Sequence, residues 1–474
     1  MATSSASAQT PLPAAQGRET TIQLKLPEAL KQAQGFLAKG ELDKAEHVAN
    51  AIVAKHAQHT VAMQILAAVA EKRGHGARAI EILQRSIAGT GNDALPLMNL
   101  CRLFRLSGRL DEAREAGERA VALGTLPDSL IDLADTYVAL GETGLALETF
   151  ERAVAKCPKS ARARLGLAQA LLMKGEFRAA WPEYEWRYKL SSTENILPKF
   201  KQPQWNGMAL KSSSLLIVAE QGYGDCFQFA RYLPLVSERV KYVYVGVGAE
   251  MKSVLATVPG RHLCFERWEH IPPFDYQIPL SSLPMVFGTT LETIPADVPY
   301  VFADAAKVEA WRARLGEKAQ GRKSVGFVWQ GRPTHPNDRV RSIGLGPLTP
   351  LLEADDILSV SMQFGDGREQ LARHPLGARV FDAADEIKDF SDSAALIAAL
   401  DCVVSIDSAN AHLAGALGKP CLVMLPYAGE WRWLEGRRDS PWYPSLELFR
   451  QEAHGAWDGV VRRVVERIRG TAFK

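Results

Sequence analysis

The stretch AQGFLAKGELDKA, residues 33–45, decides how the first third of the chain folds, because its pattern returns four times. Gly40 recurs as Gly74, Gly108, Gly141 and Gly175, at intervals of 34, 34, 33 and 34 residues. Five residues after each glycine stands an alanine: Ala45, Ala79, Ala113, Ala146 and Ala180. Seven residues before it stands a small residue: Ala33, Ala67, Cys101, Ala134 and Ala168. A glycine at such a position ends one helix in a left-handed conformation, and the small residues let the next helix pack back closely and neighbouring hairpins stack. Five helical hairpins are expected over residues 26–190. The fifth departs from the pattern with AAWPEYEWRYKL (179–190), where Pro182 interrupts the second helix and Trp181, Tyr184, Trp186 and Tyr188 make it unusually aromatic. A last hairpin packed against a following domain has this character.

Working outward, the chain has 474 residues, 47% of them hydrophobic, enough for several folded domains. Its 56 basic and 54 acidic residues leave a net charge of +2, which gives no general drive toward nucleic acid or an anionic membrane. Six scattered cysteines without C-x-x-C pairs fit a reducing cytoplasm. No apolar run reaches the roughly 18 residues of a membrane span, so a cytoplasmic protein is expected. Residues 1–25, rich in small and polar residues and Pro, read as a disordered tail, and 191–212 as a linker.

Beyond the linker the pattern changes class. Short apolar runs at 215–219, 242–248, 324–331, 357–363, 402–407 and 421–425 alternate with helical stretches, as buried parallel strands do. The segment 281–322 has no convincing strand and is taken to join two Rossmann-like halves, 213–315 and 316–474. In such layers, ligands bind at the carboxyl ends of strands, where helix N-termini offer free amides. Two places have that form: AEQGYGDCFQFARYLPLV (219–236) and CVVSIDSANAHLAGALGKP (402–420). A dinucleotide fingerprint is poorly supported, since Phe227 occupies the third glycine position.

The hairpin array resembles the tetratricopeptide repeat. The pairing of Gly-Tyr-Gly-Asp with Asp-Ser-Ala-x-Ala-His-Leu-Ala-x-Ala-x-Gly-Lys-Pro resembles the bacterial heptosyltransferase-type glycosyltransferases of the GT-B fold over 213–470. Fusions of the two occur among flagellin glycosyltransferases, and the organisation is similar to the O-linked N-acetylglucosamine transferases. The fold expected is an α-helical repeat solenoid followed by an α/β GT-B domain. In the repeat family the first helix of each hairpin lines a peptide groove, which here selects Gln64, Ile65, Met98, Asn99, Arg102, Ile131, Asp132, Asp135, Leu165 and Gln169; solvated helix faces are the plain alternative for each.

The second resemblance makes Asp225 the base for an acceptor hydroxyl, a role that competes with simple helix capping. Arg339 and Arg341, in NDRVRS, would grip the donor phosphate if the segment is extended; solvated loop arginines are the alternative. Gln221, Gly222 and Gly224, in the first turn, would contact the nucleotide-sugar donor. Ser408, Ala409 and Asn410 would offer helix-start amides, with Asp407 shaping the turn. His412 would reach the donor or serve as a core histidine. Trp329, Gln330 and Gly331 follow a strand and should border the cleft, and Gln363 would read the base or ribose. Trp431, Trp433, Trp442 and Tyr443 read more naturally as core than as a sugar platform. The scheme calls for no metal or cofactor beyond the nucleotide-sugar co-substrate, and D-x-D is absent from the chain.

These readings point to a protein O-glycosyltransferase acting on Ser or Thr of a protein held by the repeats, flagellin by analogy. A glycan or lipopolysaccharide acceptor, or a non-catalytic adaptor with a decayed GT-B half, stand as alternatives.

Overall fold

The computed structural model describes residues 25–90, 93–124, 126–190, 197–266, 268–335 and 337–470. The expected tail lies outside these apart from Lys25, as do 191–196 of the expected linker. The chain divides into two units after Arg109.

The first unit comprises α1 (Leu26–Ala38), α2 (Leu42–Lys55), α3 (Thr60–Lys72), α4 (Gly76–Thr90) and α5 (Ala94–Ser107). Gly40, Gly74 and Gly108 have φ of 75°, 81° and 81°, the left-handed conformation the period demands. Ala33, Ala45, Ala79 and Cys101 are fully buried where helices pack. Charges tie successive hairpins: Arg102 donates to both carboxylate oxygens of Glu71, 2.6 Å for Nη2 to Oε2.

The second unit continues the pattern with α6 (Leu110–Leu123), α7 (Pro127–Ala139), α8 (Thr143–Lys156), α9 (Ala161–Lys174) and α10 (Phe177–Tyr184). Gly141 and Gly175 are again left-handed, and Ala113, Ala134, Ala146, Ala168 and Ala180 are again buried. Helix α10 has 8 residues where α8 has 14, because Pro182 cannot donate and the chain tightens into a 3-10 turn over Glu185–Lys189.

Two wholly parallel sheets follow. The first has the order β3-β2-β1-β4, built from β1 (Leu210–Val218), β2 (Val240–Gly246), β3 (His262–Phe265) and β4 (Tyr276–Pro279). The second has the order β10-β9-β8-β5-β6-β7, built from β5 (Lys323–Val328), β6 (Ile357–Ser361), β7 (Phe381–Asp382), β8 (Cys402–Ile406), β9 (Cys421–Leu425) and β10 (Leu446–Arg450). All six apolar runs are strands, and β1 starts at Leu210, inside the expected linker. The joining segment has no strand among its described residues, but its helix Ala305–Ala319 packs on β5, β6 and helix Phe390–Ala399. That helix belongs to the second sheet, so the division between the halves falls before Ala305 rather than after 315. The last helix, Trp457–Gly470, buries Val460, Val461, Val464, Val465 and Ile468 in the core that also takes Val325, Phe327 and Trp329. Among the described residues no helix is long and apolar enough to cross a membrane.

Candidate functional site

The carboxyl end of β1 is held from the repeat side. Phe177 stacks on Trp442 at 5.7 Å, Trp181 meets Trp431 edge-on at 6.0 Å, and the Trp181 indole donates to the Thr289 carbonyl at 2.8 Å. Arg187 donates to the Ser281 and Ser282 hydroxyls at 2.7 and 2.9 Å, and Tyr188 donates to Glu220 at 2.7 Å. Glu220 immediately precedes the glycine-rich turn; burial raises its carboxyl above the usual range, and Arg187 works against that. Trp431, Trp433, Trp442 and Tyr443 are all buried, so the aromatic run is core.

The two motifs, one at the end of each sheet, meet. Strand β1 leads to α11 (Tyr223–Ala230), capped by Gly222, and β8 leads to the helix Ala409–Ala416. A Cβ on Gly224 would stand 2.7 Å from His412 Cδ2 and 3.3 Å from Nε2, so only glycine lets the two helices approach this closely. His412 is 3% exposed, its Nδ1 is 2.9 Å from the Tyr443 hydroxyl, and its ring stacks on Trp433 at 5.1 Å. Burial first, then the Arg432 and Arg231 charges, hold the imidazole well below its ordinary range, so it is neutral. His412 is a core histidine that joins the motifs. Beside it, the buried Arg231 of the α11 C-cap donates to the carbonyls of Gln228 (2.7 Å), Pro295 (3.1 Å) and Trp442 (2.6 Å) and to the Tyr300 hydroxyl (3.1 Å).

Asp225 does not cap its helix. It stands in the first turn with its Oδ1 accepting from Arg432 Nη2, while Arg432 Nη1 donates to Glu430. The guanidinium lies 4.2 Å over the Trp431 ring, and the Arg432 amide donates to Glu430 Oε2 at 2.9 Å. Burial, helped by Asp407 and Asp225 and opposed by Arg432, pushes the Glu430 carboxyl up to about 7. The sequence reading passed over Glu430 and Arg432. Their signal was a pair of opposite charges alternating with the tryptophans of EWRW, hidden by reading that run only for its aromatics.

Arg341 is at the same place. Its Nη1 donates to the Asp407 carbonyl at 3.2 Å, and its Nε is 3.4 Å from Asp338 Oδ1. A Cβ on Gly331 would stand 2.5 Å from both Arg341 Nη2 and Asp338 Oδ1, so that glycine makes room for the guanidinium. His335 feels Arg341, Asp407, Asp338 and Arg432, and burial followed by Arg341 lowers its imidazole below the ordinary range. Arg339 is not part of the group. Residues 338–341 form a helical turn, not an extended segment, and residues two apart in a helix point to opposite sides, which leaves Arg339 exposed. Ser408 shares a hydrogen bond with Ser405 at 2.9 Å and uses no side-chain cap; Ala409 and Asn410 are half-buried at the helix start.

Trp329 and Gln363 do not border the cleft. Trp329 is fully buried and stacked on Phe327 at 5.1 Å. The Gln363 Oε1 accepts from the amides of Trp329 (3.1 Å) and Gln330 (2.9 Å), and its Nε2 donates to the carbonyls of Gln330 (3.0 Å) and Phe364 (2.8 Å). With both donors and both acceptor sites in use, the side chain splices the ends of β5 and β6 and has nothing left to read a base. Gln330 itself accepts from Gln370 at 2.7 Å. Gln221 approaches the Tyr184 hydroxyl at 3.4 Å.

The proposed groove residues divide similarly. In the first unit Ile65 is buried core, Arg102 is engaged with Glu71, and Gln64, Met98 and Asn99 are half-buried. In the second, Ile131 is fully buried, Leu165 packs on the core shared with the sheets, and Gln169 is exposed. Asp132 and Asp135 both accept from Arg162 of the next hairpin, Asp135 at 2.8 Å. Ile65 and Ile131 are apolar positions that the packing between helices claims and are not available as groove surface, while Leu165 is half-buried.

The tetratricopeptide-repeat family profile matches residues 127–170, within α7 to α9. Together with the left-handed glycines, this defines a tetratricopeptide-repeat array ahead of an α/β region of two parallel sheets. Among curated relatives, Protein FlbA of Caulobacter vibrioides is 28% identical over 444 residues, spanning 86% of this chain and 72% of its own. Among solved structures, the MamA protein is 20% identical over 37% of this chain and 97% of its own, with a TM-score of 0.30. PilF of Pseudomonas aeruginosa is 18% identical over 34% of this chain and 75% of its own, with a TM-score of 0.33.

Proposed function

We propose that the α/β region is a GT-B sugar-transfer module, and that the chain moves a sugar from a nucleotide-sugar donor to a Ser or Thr hydroxyl of a protein presented by the repeats. The observation that supports this most is the meeting of GYGD and DSANAH from separate sheets, with Gly224 against His412. It gathers a carboxylate, Asp225, and two guanidiniums, Arg432 and Arg341, around Asp407. In the reaction, the acceptor oxygen bonds to the anomeric carbon as the bond from that carbon to the donor phosphate oxygen breaks. The electron pair of the broken bond leaves with the phosphate, and the hydroxyl proton passes to Asp225. Arg341 and the first amides of the helix Ala409–Ala416 meet the phosphate charge, so the scheme needs no metal. Flagellin is the acceptor that the sequence resemblance suggests.

Thermal-shift screening with UDP, GDP, ADP and CMP, followed by turnover of the matching nucleotide sugar, tests the reading. Turnover lost in Asp225→Asn and sharply reduced in Arg341→Ala is the expected result; a purified chain that binds none of the four nucleotides would sink it. Removing residues 26–109 should spare donor binding and abolish transfer to protein. The adaptor reading draws on one observation: the Asp225–Arg432 pair is also what a structural ion pair looks like.

A further inference from the structure

We propose that Arg432 is shared between Asp225 and the donor's phosphate, so that a bound donor draws the guanidinium away and leaves Asp225 free to take the acceptor proton. This rests on the sugar-transfer reading above. A general base must lie within hydrogen-bond reach of the proton it takes, and the Asp225 Oδ1 is already occupied by the Arg432 guanidinium. For Asp225 to act as a base, the pair must loosen while substrate is present. The reactant that can compete is the phosphate, which an arginine grips through two parallel hydrogen bonds.

The surroundings of Arg432 suit such an exchange. The guanidinium is the partner of two carboxylates at once, Nη2 to Asp225 and Nη1 to Glu430, with the Asp407 charge close by. It rests on the flat face of Trp431, 4.2 Å away, a support that leaves its edges available to new acceptors. Glu430 is the partner that can give way without leaving a buried charge unpaired. Its carboxyl is already raised to about 7, and an incoming phosphate favours its neutral form. Arg341, held by the Asp407 carbonyl, supplies a second cation that stays with the phosphate while Arg432 exchanges. Arg432 is thus a positioning residue: it holds the Asp225 carboxylate in place before the donor arrives and releases it afterwards.

The test is a binding cycle on the full chain, by calorimetric titration with UDP, GDP, ADP and inorganic pyrophosphate. Asp225→Asn keeps the shape of the side chain and removes the competing charge, so the diphosphate should bind about 3- to 10-fold more tightly than to wild type. Arg432→Met should weaken binding about 10-fold, and in the double variant the gain from Asp225→Asn should vanish. Arg432→Lys should recover part of the affinity. A gain that persists in the double variant means simple charge repulsion and overturns the sharing. Wild type that binds a diphosphate while Asp225→Asn binds it no more tightly overturns it as well. If Arg432→Met loses its cooperative melting transition, Asp225→Asn, measured in Arg432→Lys as well as in wild type, decides alone. A wild-type chain that binds none of the probes brings down the sugar-transfer reading itself, a result separable from the other two.

Discussion

The second and fifth hairpins carry the same three-position signature and lead to different ends. Around Gly74, α3 and α4 keep Ala67 and Ala79 buried, and nothing lies within 4 Å of a Cβ placed on the glycine. Around Gly175, α9 and α10 keep Ala168 and Ala180 buried, but the same Cβ would stand 2.6 Å from Leu291 Cδ1. The periodic residues specify the hairpin; the residues between them specify what it is fastened to. In the fifth hairpin those are Phe177, Trp181 and Tyr184, all buried against the α/β region, so this repeat is structurally part of the domain that follows it.

The most severe way to break the comparison is truncation. A chain starting at 110 should retain a cooperative melting transition, whereas one starting at 191 exposes the faces of Trp431 and Trp442 and should be recovered only as aggregate. Next, Trp442→Ala removes the partner of both Phe177 and Phe229 and should cost about 3–5 kcal/mol in urea unfolding. The glycines offer a finer contrast at nearly equal φ, 81° and 83°. Gly74→Ala should cost about 1 kcal/mol from backbone strain alone, and Gly175→Ala about 1 kcal/mol more from the displaced Leu291. Equal costs would mean that docking adds nothing at the glycine itself.

A further contrast, comparable in size to the glycine substitutions, lies in pH dependence. The folded-state pKa of His412 lies well below 6.5, so below that pH the unfolded chain takes up a proton that the folded chain refuses. Stability from this source is complete above 6.5 and falls with pH by up to about 1.4 kcal/mol per unit. Glu430 acts in the opposite sense, stabilising below its ordinary 4.5 and losing that contribution as pH rises toward about 7. The His412 share is therefore the difference in slope between wild type and His412→Gln, followed by urea midpoint from pH 7.5 down to 5.5. Matching slopes would mean that the imidazole takes up its proton equally in the folded and the unfolded chain.

What was legible follows burial. The six strands read from the sequence are all interior strands of their sheets, and five of them, all but β2, end in four or more consecutive buried residues, which makes a continuous apolar run. The four that were missed, β3, β4, β7 and β10, are the four sheet edges, short or with mixed burial, and HLCF or LELFR carries no run to detect. The candidate site divides along a similar line. Asp225, Asp407 and His412 belong to strand-to-helix junctions that follow buried strands, so a motif marked their place. Arg341 could be named, but not separated from Arg339, because the four-residue helical turn that turns one inward and the other outward leaves no periodic trace. Gln363 was located at the correct strand end, yet its amide serves the backbone, a matter of side-chain direction that spacing does not encode. Arg432 and Glu430 come from a 3-10 turn within an aromatic stretch, where only the fold reveals which charges face inward.

Arg231 sets a mechanical condition on the cleft. One buried guanidinium holds carbonyls from α11, from the segment after the first sheet and from the loop before β10, and Tyr300, which it also holds, donates in turn to the Phe227 carbonyl at 2.8 Å. Prying the two sheets apart on this side would strip a buried cation of partners, which costs about 3–5 kcal/mol when such a charge is left uncompensated. Arg231 is thus a rivet between the two sheets beside α11, one buried cation on which three separate stretches of backbone depend.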